Sequence, residues 1–148
     1  MSPAVLVLDN DRALRDLLVL AVGRAGVPVC AAADAEEAER VLRAGGIGLL
    51  LLDLHLGGGR SGHQLARAWE QAGLLPQFLV VTGTPEDPAL AELDRMPGFR
   101  GVIAKPFSVL ELAERARALL LPAAADRPAG REMGASETNA GADAGAPW

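Results

Sequence analysis

The sequence has a single cysteine, Cys30, and no tyrosine, and aromatic residues make up only 3% of its 148 positions. One thiol excludes an internal disulfide and any multi-cysteine zinc site. Cys30 lies in an apolar stretch, Val27 to Ala33, and is expected to be a buried thiol in a reducing compartment. Long apolar runs are missing too. The longest, Ile47 to Leu52, falls far short of the roughly 20 residues that cross a bilayer. The N-terminus has no basic stretch followed by an apolar one, so the expected location is cytoplasmic, away from membranes. Basic residues are few: 14 Lys and Arg against 19 Asp and Glu give a net charge of -5. A sequence-independent grip on nucleic acid needs clustered cations to displace counterions, so no nucleic-acid partner is expected.

What is present is an ordinary globular mixture, with 50% hydrophobic and 22% charged residues, at a length suited to one domain. Short apolar runs recur at Ala4 to Leu8, Val27 to Ala31, Ile47 to Leu52, Phe78 to Val81 and Val102 to Ala104. They read as five strands buried on both faces. Between them, residues repeat at helical spacing. Leu14, Leu17, Leu18, Ala21, Val22 and Ala25 form one stripe, and Val109, Leu112, Ala113, Ala116, Leu119 and Leu120 form another.

Helix starts are marked by Asp34 with Glu37, Ser61 with Gln64 and Ser108 with Glu111, each a capping-box pattern. Thr84-Pro85 predicts a further start, with Thr84 as the cap and proline in the first turn. Strand and helix alternate five times, which predicts a doubly wound α/β fold with a five-stranded parallel sheet over residues 1–121. Residues 122–148 are rich in Ala, Gly and Pro without an apolar period, and are expected to be a disordered tail. Trp148, at its end, reads as incidental.

In an open parallel sheet, ligands bind at the carboxyl ends of the strands. Here those ends carry Asp9-Asn10-Asp11, Asp53, Thr82-Gly83-Thr84 and Lys105-Pro106. Carboxylates held close together repel and recruit a cation, and Mg²⁺ suits oxygen ligands beside a phosphate. A carboxylate in such a site can attack phosphorus, with a cation and a hydroxyl donor to meet the transferred oxygens. Asp53, Lys105 and Thr82 supply that set.

Four segments, VLVLDNDRALR from Val5 to Arg15, LLLDLHLGGGRSG from Leu50 to Gly62, LVVTG from Leu79 to Gly83 and AKPF from Ala104 to Phe107, resemble the hallmarks of receiver domains in bacterial two-component signalling. The resemblance covers roughly the first 121 residues. It implies a flavodoxin-like (βα)5 fold of the chemotaxis-regulator kind. It also implies Asp53 as phosphoacceptor, Asp9, Asn10, Asp53 and the His55 carbonyl as the Mg²⁺ shell, Thr82 as the switch hydroxyl, and Lys105 as phosphate partner before a cis bond to Pro106. The implied donor is a sensor histidine kinase or phosphotransfer protein, and the implied output is contact with a downstream protein. Such a domain is not an enzyme beyond its own phosphorylation and dephosphorylation.

The sequence departs from the family at Asn10, where a second acid is usual, so weaker Mg²⁺ binding is expected even with Asp11 nearby. Val102 stands where an aromatic often takes part in switching, and the loop Gly57 to Arg60 lacks the usual proline. That loop is expected to be mobile, since glycine adds chain entropy. His55 overlooks the acceptor by resemblance, or is simply an exposed loop histidine. Asp9 and Asp11 could instead cap the first helix, Thr82 could be an ordinary strand end, and Lys105 a structural partner of Asp53.

Two other functions stay open. One is a receiver-like binding module independent of phosphorylation, suggested by Asn10 and Val102. The other is a haloacid-dehalogenase-type phosphatase with Asp9 as nucleophile, which lacks a later acidic motif and leaves Asp53 without a role.

Overall fold

The computed structural model describes residues 3–57 and 59–121. The expectations for residues 122–148, and for Gly58 within the glycine loop, lie outside the described residues. The elements are β1 (Ala4–Leu8), α1 (Arg12–Arg24), β2 (Val29–Ala32), α2 (Ala35–Ala44), β3 (Ile47–Asp53), α3 (Gly62–Gln71), β4 (Gln77–Thr82), α4 (Ala89–Leu93), β5 (Phe99–Ala104) and α5 (Val109–Leu120). All neighbouring strands pair in parallel, in the order β2-β1-β3-β4-β5. This is the doubly wound sheet predicted by the alternation of runs and stripes. Among the described residues no helix is long and apolar enough to cross a membrane.

Side chains alternate across each strand, so the sheet supports two cores. On one face Leu6, Leu8, Leu50, Leu52, Phe78 and Val80 meet Leu42 of α2, Leu65 and Trp69 of α3, and Leu93 of α4. On the other, Val5, Val7, Leu49, Leu51, Leu79 and Val81 meet Leu18 and Val22 of α1 and Leu112 and Ala116 of α5. Only the three central strands are buried throughout most of their length; β2 and β5, at the edges, are largely half-buried, contrary to the expectation of burial on both faces. Cys30 on edge strand β2 is accordingly only part-buried, although burial still raises its thiol pKa. Leu17, assigned to the α1 stripe, is 47% exposed.

Three of the four predicted helix starts hold. Asp34, Ser61 and Ser108 are N-caps whose side chains accept from the backbone N–H of Glu37, Gln64 and Glu111. Only Ser61 and Gln64 complete the reciprocal box; the Glu37 carboxylate accepts from the Ala33 N–H instead. The fourth fails. Thr84 caps nothing, because its hydroxyl is bonded to Thr82 and His55, and α4 begins only at Ala89 after a turn closed by the Asp87 N–H on the Thr84 carbonyl.

Candidate functional site

The strand order reverses between β1 and β3: from β1 the chain crosses to β2 on one side, then returns past β1 to β3 on the other. The carboxyl ends of β1 and β3 are therefore adjacent, and each runs directly into an aspartate. Asp9 and Asp53 are 2% and 4% exposed, and with Thr82 they are the buried polar residues among those described. Burying charge without compensation is costly, so each must be paired.

Lys105 does the pairing. Its Nζ lies 3.5 Å from Asp53 Oδ2 and 3.6 Å from Asp9 Oδ2. The β4–β5 ladder puts it there, since the Lys105 N–H donates to the Thr82 carbonyl just after the last paired residues, and the bond to Pro106 is cis. Asp53 Oδ1 also accepts from the His55 N–H at 3.0 Å. Burial nevertheless pushes the Asp53 carboxyl above its ordinary pKa, and repulsion from Asp9 adds to this. The His55 N–H and the Lys105 ammonium act the other way.

Asp9 is fixed locally. Its Oδ1 accepts from the Asp11 N–H at 2.8 Å, and its carbonyl accepts from the Arg15 guanidinium at 2.9 Å. Asp11 is the N-cap of α1, accepting from the Leu14 N–H, so the capping alternative is right for Asp11. Asp9 is not that cap; it turns toward Lys105. Asn10 between them is exposed, its amide nitrogen facing Gly57 in the loop after β3.

Thr82 ends β4 with its side chain buried. Its Oγ1 accepts from the Thr84 N–H at 3.0 Å and shares a hydrogen bond with Thr84 Oγ1 at 3.1 Å. Thr84 Oγ1 in turn lies 2.8 Å from His55 Nε2. His55 is thus exposed, yet tied across the mouth of the site to the segment after β4.

The structure brings Asp9, Asp53 and Lys105 into one cluster, with His55 and Thr82 at its edge; Asp11 serves the helix, and Pro106 follows Lys105. Two residues of the site have roles that the sequence does not reveal. The sequence puts Thr84 among the polar residues at the end of β4, but the only role it gives that side chain is a helix cap. Gly62, the first residue of α3, has no room for a Cβ, which would overlap the Asp53 carbonyl oxygen; its N–H donates to the Leu54 carbonyl at 2.9 Å. A glycine at a helix start gave no signal of this.

Two buried carboxylates facing one ammonium leave negative charge at the strand ends, which suits a divalent cation with oxygen ligands. Among the described residues no three His, Cys, Asp or Glu side chains converge as a metal cluster. Mg²⁺, however, commonly takes one or two carboxylates and keeps several waters, so the donors present fit it.

Comparison with known proteins agrees with this architecture. The family model of the response regulator receiver domain matches residues 5–117. The transcriptional regulatory protein YvrH of Bacillus subtilis is 30% identical over 80% of this chain and 49% of its own length. The swarming motility regulation protein RssB of Serratia marcescens is 34% identical over 78% of this chain and 52% of its own. The chain spans about half the length of these relatives. Among solved structures, chemotaxis protein CheY4 of Vibrio cholerae superposes with a TM-score of 0.68 at 21% identity, covering 81% of this chain and all of that one. The receiver domain of a LuxO-type repressor from Vibrio parahaemolyticus gives 0.71 at 18%, covering 81% and 91%. These two show the fold. With buried aspartates at the ends of β1 and β3, a lysine between them, and a family match across the sheet and nearly all of its helices, this chain belongs to the receiver-domain family of two-component response regulators.

Proposed function

We propose that Asp53 accepts a phosphoryl group from a phosphohistidine of a sensor kinase or phosphotransfer protein, and that the chain then signals through protein contacts. The observation that carries this reading is the convergence of buried Asp53 and Asp9 on Lys105 at the reversal point of the sheet. Receiver domains as a family are signalling modules phosphorylated by histidine kinases. The assignment of each role to this chain's residues is our own.

In this reading a carboxylate oxygen of Asp53 attacks phosphorus, the bond to the donor nitrogen breaks, and an acyl phosphate forms. Lys105, already beside Asp53, meets the charge on the transferred oxygens, and the Thr82 hydroxyl, at the end of β4, would leave Thr84 Oγ1 to donate to them. The His55 N–H holds the other carboxylate oxygen in place. Asp9, Asp53, Asn10 and the His55 carbonyl would hold Mg²⁺, which supplies charge neutralisation for the phosphoryl oxygens when bound. Asn10 can offer an amide oxygen but no charge, which supports weaker binding than two acids would give.

The test is intact mass after incubation with Mg²⁺ and acetyl phosphate, beside Asp53→Asn, with hydroxylamine to identify an acyl phosphate. A labile adduct in the wild type alone is expected. An adduct retained by Asp53→Asn and lost in Asp9→Asn would favour the phosphatase-like alternative. No adduct from either acetyl phosphate or a cognate kinase would favour a phosphorylation-independent module.

A further inference from the structure

The chain has two histidines, and both reach from the β3–α3 side of the fold to the segment that follows β4. His55 Nε2 lies 2.8 Å from Thr84 Oγ1, and His63 Nε2 lies 2.7 Å from Glu92 Oε1. At the second point Arg67, one turn beyond His63 on α3, grips the same carboxylate with two bonds, from Nε to Oε2 at 2.9 Å and from a terminal nitrogen to Oε1 at 2.8 Å. Because a carboxylate only accepts, the His63 Nε2–H donates here. These three donors hold Glu92 ionised, with its carboxyl lowered to about 2 by the Arg67 and His63 hydrogen bonds.

Little of the segment so gripped is buried, although Leu90 packs against the core and Asp87 Oδ1 accepts from the Ala89 N–H at 2.9 Å. From Gly83 to Glu92 no residue is fully buried, and the first that is, Leu93, stands at the very end of α4. α4 has five residues, too few to be stable alone, and its N-cap position is Pro88, which makes no side-chain cap. Single exposed ion pairs contribute little to the stability of a whole domain. On a short element with one fully buried anchor, Leu93, and only the half-buried Leu90 beside it, small contributions decide position. The α3 end of the second contact is by contrast firmly seated, since Gly62, next to His63, rests on the backbone at Asp53, and His55 is tied through its own N–H to Asp53 Oδ1.

We propose that His55 on Thr84, and His63 together with Arg67 on Glu92, form a two-point strap that holds residues 84–94 as one unit against the acceptor side of the fold. The surface offered by this segment is then set by side-chain hydrogen bonds at Thr84, ahead of α4, and at Glu92 within it, and releasing either point loosens all of it. The proposal does not depend on phosphoryl transfer to Asp53, and it is tested without any phosphoryl donor.

The experiment is amide hydrogen exchange, read by NMR at residue level, on the full chain as wild type, His55→Ala, Glu92→Ala and the double variant. Glu92 is 44% exposed at its side chain, and alanine raises intrinsic helix propensity, so faster exchange in Glu92→Ala cannot come from a poorer helix former. The probes are the hydrogen-bonded amides of Asp87, Leu90, Ala91 and Asp94. With a strap, each single variant speeds exchange at all four, on the order of threefold, and the double variant multiplies the effects to about tenfold. Amides of β1 and β3 keep their wild-type rates, which separates this from global unfolding. Unchanged rates overturn the proposal. So do changes confined to Asp87 in His55→Ala and to Asp94 in Glu92→Ala, which would mean two unrelated local contacts.

Discussion

Gly62 sits directly on Asp53: a Cβ at Gly62 would overlap the Asp53 carbonyl oxygen and stand 2.9 Å from the Leu54 Cα. Both obstacles are backbone, so neither can swing aside. Gly62→Ala is therefore expected to destabilise the domain by about 1–3 kcal/mol, as overpacking does, despite alanine's better helix propensity. Urea unfolding measures the loss. A stability equal to wild type would mean that α3 can shift away from β3 freely.

Asp53→Asn is expected to raise the melting temperature of the metal-free protein at neutral pH by a few degrees. Burial and Asp9 raise the Asp53 pKa in the folded state, so the charged form opposes folding. The native state favours the protonated carboxyl, and stability falls as pH rises through the raised pKa. The advantage of asparagine should therefore grow across that rise and vanish below the ordinary carboxylate range. Thermal melts from pH 3 to pH 8 check it; an equal gap at all pH values would point to a cause other than charge burial.

Glu92 shifts in the opposite direction. Its carboxyl is lowered to about 2 from an ordinary 4.5, so what it contributes is complete above the ordinary value and lost as pH falls toward 2. Glu92→Gln is expected to melt earlier than wild type near pH 6, with the gap closing between pH 4.5 and 2. Because the side chain is exposed and screened, the gap should also shrink in high salt.

Asn10→Asp restores a charge at the exposed position facing Gly57. It is expected to tighten Mg²⁺ binding on the order of tenfold, equivalent to about 1.4 kcal/mol. Calorimetric titration with MgCl₂ measures this directly. An unaltered affinity would mean that residue 10 does not face the ion.

Much of this was legible in the chain because the central strands are buried on both faces and so appear as unbroken apolar runs. β1 was read to its observed ends, and Asp9, Asp53, Thr82 and Lys105 followed as strand termini. At the edges the signal weakened: Arg100 and Gly101 interrupt the apolar pattern of β5, which starts at Phe99 and not at Val102. Gly101 takes φ +127° there, with the Arg115 guanidinium packed over it, a contact that spacing alone does not reveal. The bonds made by Thr84 and Glu92 escape local reading for a related reason. Each residue bonds a histidine 29 residues away, and local rules instead assigned Thr84 to a cap it does not form.

Trp69 lies 2% exposed on α3, and its indole N–H donates to Glu39 of α2 at 3.0 Å. Indole emission responds to water and to nearby charge, so this pair gives the protein an intrinsic optical gauge of the α2–α3 contact. With Trp148, the only other tryptophan, replaced by phenylalanine, any event that moves α3 relative to α2 would register as a change in colour from a single buried chromophore, with no label attached.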